Sequence, residues 1–140
     1  MTIYNDSSLT LYPYLFYFDP TELTIFNWYM PPFGAGAGGL TTRVDAPLPP
    51  NSKLAIGYGD GGAIPWQFVI PDGESKDLGF FRLFLSTRPA YFESILQEMS
   101  PFYNGRSRSA NLTSPELPDL EAWAVQTATV VQVANNVQFA

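Results

Sequence analysis

The sequence predicts an all-β protein: an antiparallel β-sandwich of about six to eight strands, with long loops rich in Pro and Gly and at most one short helix. Aromatic residues make up 16% of the chain, whereas charged residues make up only 14%. The 13 Pro and 11 Gly divide the chain into short apolar runs. A length of 140 residues is typical of one domain, so we expect residues 1–140 to form a single β-sandwich domain.

The first strand candidate is the apolar run Leu9–Phe18, which is apolar on both faces and therefore suits a strand covered on both sides. Pro13 within it predicts an edge position or a bulge. Asp19–Glu22 has the composition of a tight turn, and Leu23–Tyr29 follows as a second strand. We expect these two strands to form a hairpin.

Residues 30–52 form a long irregular connection with room for a short strand near Leu40–Val44. Two further strands are predicted at Lys53–Tyr58 and Trp66–Ile70, with a glycine turn between them at 59–62.

The second half of the chain holds the two longest strand candidates. Asp77–Thr87 is apolar on both faces apart from Arg82, and Trp123–Val133 alternates Val and Thr with Ala and Gln. Tyr91–Gln97 has the spacing of a short helix, and 101–119 has the composition of a loop.

The composition excludes most catalytic chemistry. The chain has no His and no Cys, so it has no imidazole base, no thiol nucleophile, no disulfide and no His or Cys metal ligand. We therefore expect no enzyme activity and no cofactor. The carboxylates of the second half, which include Glu93 and Glu116, fit a solvated acidic rim better than the carboxylate pair of a glycosidase.

The charge balance argues against nucleic acid as a ligand, because the chain has 7 Lys and Arg against 13 Asp and Glu and a net charge of −6. We expect no membrane insertion, because Leu9–Phe18 is about half the length of a membrane-spanning helix. The N-terminal residues lack a basic region followed by an apolar run, so we expect a cytoplasmic protein.

Two glycine-rich stretches, Gly34–Gly39 and Gly57–Gly62, match the dinucleotide-binding pattern of glycines. A nucleotide site also needs a helix directly after them. No amphipathic helix follows either stretch, so both are interpreted as loops or turns. Asp60 and Asp72 lie in glycine turns without the dense acidic spacing of a calcium loop, and calcium binding there is left open.

Four aromatic residues close to loops are the candidate ligand-binding or partner-binding residues: Phe33, Tyr58, Trp66 and Tyr103. Exposed Tyr and Trp side chains stack on sugars or anchor protein partners. The alternative for each is packing within the core or under a loop.

Several segments resemble the uncharacterised β-sandwich domain found C-terminal to caspase-like peptidase domains, especially in basidiomycete fungi. They are 14–19, 23–25, 28–31, 48–54, 68–73 and 78–87. The resemblance spans about residues 9 to 131, and the stretches at 34–39 and 103–118 look like local elaborations. It implies a non-catalytic role with a protein partner or in sensing, and it assigns no functional residue.

Two functions remain open at this level. The first is a non-catalytic interaction module that binds a protein partner or a second copy of itself. The alternative is a small cytosolic fungal carbohydrate-binding or defence protein that uses loop aromatics.

Overall fold

The structure is a computed structural model. It describes residues 1–31, 34–35, 41–42, 48–57, 67–90, 92–103 and 122–134. Eight strands lie in these residues: β1 Thr2–Asn5, β2 Tyr12–Asp19, β3 Thr24–Tyr29, β4 Gly34–Ala35, β5 Thr41–Thr42, β6 Ser52–Ala55, β7 Lys76–Ser86 and β8 Trp123–Val133. The helical part of the described residues is one 3₁₀ turn, Glu93–Ile95. All strand pairs are antiparallel, so the predicted all-β fold class is confirmed.

The main sheet has four strands in the order β3-β2-β7-β8, and the ladders β1-β6 and β4-β5 have two strands each. β2 and β3 form the predicted hairpin. Its turn is held by the Asp19 side chain, because Oδ1 accepts hydrogen bonds from the backbone N–H groups of Thr21 and Glu22, both at 2.9 Å.

The β1-β6 ladder packs on one side of the main sheet, which we call face A. Here Ile3 and Leu54 from the ladder meet Leu15, Tyr17 and Phe81 from the sheet in one buried cluster. The two layers enclose the larger part of the core, as expected of a sandwich.

The opposite side of the sheet, face B, is covered by the segment that contains the 3₁₀ turn. Tyr14 and Phe16 are fully buried there. Phe92 packs against them, with its ring 4.6 Å from that of Tyr14 and 6.1 Å from that of Phe16. β2 is therefore covered on both sides, which is what its continuous apolar sequence indicated.

Pro13 lies in β2, an inner strand of the sheet, but it pairs with Leu85 of β7 and has no partner on β3, which agrees with the expected edge position or bulge. The pairing with β3 extends only as far as Leu15, and the bulge falls between Leu15 and Phe16. Along β2 the even-numbered residues bond to β7, so the missing N–H of Pro13 is on the side of β3, beyond the end of that pairing. The proline therefore costs the sheet no hydrogen bond.

Three details of the sequence interpretation were wrong. Residues 67–70 form no strand; Phe68 instead stacks on Trp28 at 5.4 Å, while Val69 is 76% exposed. β1 was not predicted, because four residues with one buried apolar side chain, Ile3, give too short a pattern. Gly34–Ala35, predicted as loop, pairs with Thr41–Thr42.

Candidate functional site

The two edges of the main sheet differ in how far the rest of the described chain covers them. The edge at β3 is covered by the chain itself: Ile25 and Gln97 exchange backbone hydrogen bonds of 2.8 and 3.1 Å. The side-chain amide of Gln97 also donates to the carbonyl of Leu23. This edge is thereby closed to other strands over part of its length.

The edge at β8 has no such cover among the described residues. β8 pairs with β7 over all of its 11 residues, from Trp123 opposite Ser86 to Val133 opposite Lys76. Within the described part of the chain, no residue pairs with its other side. An edge strand of this length is about twice as long as an average strand.

The ladder shows which backbone groups of β8 point outward. Just beyond its ends, Thr87 donates to the carbonyl of Ala122 at 3.2 Å, and Ala134 donates to the carbonyl of Ser75 at 3.0 Å. Residues of one parity share a direction in an antiparallel ladder. The even-numbered residues of β8 therefore bond to β7, and the odd-numbered residues present their N–H and C=O groups to the outside.

The side chains of β8 are also mostly exposed. Trp123 is 65% exposed, Val131 61% and Val133 58%, and all three lie on face B. The strand contains no charged residue, no Pro and no Gly. β8 thus combines open hydrogen-bonding groups with exposed apolar surface.

A groove of about 450 Å³ lies on face A beside this edge. Residues 1–4 form one wall, residues of β2 and β7 that include Leu83 and Leu85 form the floor, and Gln126 and Ala128 line the side of β8. The groove exists because the second layer covers β2 but stops short of β8.

Of the four predicted binding residues, the structure describes one. Phe33, Tyr58 and Trp66 lie outside the described residues. Tyr103 is 69% exposed and follows Phe102, which is 78% exposed. Backbone N–H groups of both residues bond to Ser100, at 3.2 Å to Oγ and 3.0 Å to the carbonyl, so the turn holds two adjacent aromatic rings at the surface.

The titratable groups that are perturbed belong to the core. Burial raises the pKa of the Tyr14, Tyr17 and Tyr29 hydroxyls above the ordinary value. For Tyr17 the nearby carboxylates Asp19 and Asp77 add to the effect. Tyr17 and Tyr29 belong to the core cluster of face A and Tyr14 to that of face B, so the pKa shifts follow from core packing.

Metal-binding clusters and membrane-spanning helices are both absent from the described part of the chain. Its residues hold no cluster of three or more His, Cys, Asp and Glu side chains able to hold a metal ion. Asp72 lies in a turn within them, whereas Asp60 lies outside. None of their helical residues belongs to a segment with the length and hydrophobicity needed to cross a bilayer.

No protein-family model, curated protein or solved structure matches this chain. The resemblance to the caspase-associated domain therefore stays a prediction.

The sequence predicted the β8 strand but did not show that it lies at the edge of the sheet. Its residues 123–133 were predicted as a strand, yet an uncharged run of this kind is also typical of a strand in the middle of a sheet. The absence of charge and Pro was the available signal, and it becomes informative only once the strand is known to lie at an edge.

Proposed function

We propose that the protein is a non-catalytic interaction module that binds a protein partner by adding a strand to β8. The observation that carries this proposal is the uncovered, uncharged edge of the main sheet, as far as the described residues extend. Strand addition supplies main-chain hydrogen bonds to the outward N–H and C=O groups, and alternate side chains supply specificity.

The composition of β8 supports a role in strand pairing, because the strand lacks the features that keep other edge strands unpaired. Edge strands that stay unpaired are commonly short, charged, bulged or interrupted by Pro. β8 has none of these features, and its regular pairing with β7 keeps it extended. A partner strand would also cover part of Trp123, Val131 and Val133, which adds hydrophobic stabilisation to the hydrogen bonds.

Two expectations from the sequence are part of this proposal. A chain without His and Cys has few routes to catalysis, and the resemblance to the accessory domain of fungal caspase-like proteins fits a regulatory role. We propose that the module acts in the cytoplasm as such an accessory unit.

The test compares two substitutions at the middle of β8. Thr127→Pro removes an outward N–H and obstructs pairing, but leaves the bonds to β7 intact; Thr127→Val is the matched control. Peptides of about 12 residues, selected from a displayed random library for binding to the protein, should bind Thr127→Val normally and lose binding to Thr127→Pro. Equal binding to both variants, or no selected peptide at all, would contradict the proposal.

A second candidate is carbohydrate binding by the turn at Ser100–Tyr103, which the exposed rings of Phe102 and Tyr103 favour. Aromatic rings at a surface offer flat apolar faces on which sugars stack. On a glycan array, Tyr103→Ala should abolish any signal. Tyr4→Ala is the control, since Tyr4 is 67% exposed but lies on β1. A signal that survives Tyr103→Ala would reject this site.

A further inference from the structure

We propose that the strand added to β8 is β8 of a second copy of this chain, antiparallel to the first about a two-fold axis at Ala128. This inference rests on the proposed function and names its partner. It predicts a homodimer in which two four-stranded sheets join into one continuous sheet.

The backbone geometry of β8 is suited to pairing with itself. The outward groups belong to odd-numbered residues, as the bonds of Ala122 and Ala134 to the β7 side establish. With the axis at Ala128, each residue lies opposite the residue that is equally far from Ala128 on the other side, such as Trp123 opposite Val133. An odd-numbered residue therefore always faces an odd-numbered residue. Each outward residue then faces an outward residue of the second copy along the whole strand, a length of about 36 Å.

The same register gives favourable side-chain neighbours. Opposite residues on face B are Trp123 with Val133, Val125 with Val131, and Thr127 with Thr129. Aromatic, Val and Thr pairs of this kind stabilise antiparallel strands. Because of the two-fold symmetry, each of these pairs occurs twice in the ladder.

The small side chain of Ala128 suits the position on the axis. Because even-numbered residues of β8 bond inward, Ala128 meets its own copy as a non-hydrogen-bonded pair, where opposite side chains approach most closely. Ala128 and Gln126 also border the groove on face A. In the dimer the two grooves adjoin across the axis.

The absence of charge on β8 makes it a suitable contact between two acidic copies of the chain. Each chain carries a net charge of −6, so two copies repel each other at long range. β8 itself has no charged residue, and pairing through it places no like charges opposite each other. The dimer should therefore become tighter as salt screens the remaining repulsion.

The first test uses the absence of cysteine from the chain. In Ala128→Cys the two sulfurs would face each other across the axis at a distance that suits a disulfide. We expect mild oxidation to give a covalent dimer in high yield. Ala124→Cys is the matched control, since its two copies would lie about 27 Å apart. Equal cross-linking of both variants, or none for Ala128→Cys, would overturn the register.

The second test measures the affinity of the non-covalent dimer. Thr127→Lys with Thr129→Lys places like charges opposite each other in both copies and should weaken the dimer about tenfold or more in sedimentation velocity. Thr127→Lys with Thr129→Glu keeps two substitutions but pairs opposite charges, and should restore it. Equal weakening by both double variants would contradict a pairing of residue 127 with residue 129.

The two proposals fail in different ways. A wild-type chain that stays monomeric at the highest attainable concentration, yet binds selected peptides in a manner lost in Thr127→Pro, would reject self-pairing and keep the interaction function. A chain that neither dimerises nor binds such peptides would reject both.

Discussion

Gly79 is the residue at which the packing between β7 and β2 leaves no room for a side chain. A Cβ atom at this position would overlap the ring and hydroxyl of Tyr17. Tyr17 in turn contacts Trp28, Phe68 and Phe81 through its ring, with centroids 5.6, 5.3 and 5.3 Å away. The glycine therefore allows an aromatic cluster to lie flat against the sheet.

Gly79→Ala should lower the free energy of unfolding by about 1–3 kcal/mol, because the Tyr17 ring has to move away from its aromatic neighbours. Urea denaturation measures the effect. The same substitution in a Tyr17→Leu background is the control, and it should cost less because the ring is gone. An equal loss in both backgrounds would show that the ring is not the cause.

Asn5 is a buried polar residue that connects β1 to the two loops beside it. It is 2% exposed. Its side-chain N–H₂ donates to the carbonyls of Leu9, Leu48 and Pro49 at 2.8, 3.2 and 2.9 Å. Its Oδ1 accepts from the N–H and the hydroxyl of Ser7 at 3.1 and 2.7 Å. One side chain thus satisfies polar groups from both loops.

Asn5→Ala should reduce the free energy of unfolding by about 2–3 kcal/mol, since the carbonyl of Leu9 and the N–H of Ser7 lose the partner that Asn5 supplies. Thermal or urea unfolding checks this. Asp6→Ala, at the exposed neighbouring position, should change stability by less than about 0.5 kcal/mol. A loss at Asn5 as small as that of the control would mean that water replaces these bonds.

At the scale of elements, the two edges of β8 differ, because β7 pairs with one edge and no described residue pairs with the other. Its even-numbered amides bond to β7, whereas its odd-numbered amides face outward. The hydrogen exchange of the even-numbered amides should therefore depend on pairing with β7, and that of the odd-numbered amides on pairing with a partner strand.

Amide hydrogen exchange, followed by NMR, can distinguish the two sets of amides. In dilute solution the amides of Val125, Thr127 and Thr129 should exchange at least about tenfold faster than those of Gln126 and Ala128. As the protein concentration rises, the odd-numbered amides should become protected as well. Uniform protection along β8 in dilute solution would show that another part of the chain already covers the edge.

For the whole molecule, the acid–base behaviour follows from composition and burial. His and Cys are the side chains whose ordinary pKa lies between about 6 and 9, and the chain contains neither. Burial raises the pKa of Tyr14, Tyr17 and Tyr29 in the folded state. In the unfolded chain these hydroxyls have a pKa of about 10.

The free energy of unfolding should therefore be nearly constant from about pH 6 to 9 and fall above about pH 10. Above that pH the unfolded chain releases phenol protons that the folded chain still holds, so alkali favours unfolding, by up to about 1.4 kcal/mol per pH unit for each group. Urea denaturation across this range measures it. Tyr29→Phe, which keeps the ring, should make the fall shallower; an unchanged slope would contradict the role of Tyr29.

The amino-acid pattern alone was sufficient to predict the strands with long, continuous apolar or alternating runs. The β2-β3 hairpin with its turn at Asp19, the full length of β8 and the two apolar faces of β7 all followed from alternation and turn residues. The lack of His and Cys likewise excluded thiol and imidazole chemistry on composition alone.

The order of the strands in the sheet is known only from the folded structure. Alternation fixes which residues share a face, but it carries no information about neighbours that are far apart in sequence. For this reason β8 has the uncharged sequence of an inner strand and yet lies at an edge of the sheet that the described residues form. The position of β8, and not its sequence alone, makes it the candidate interface.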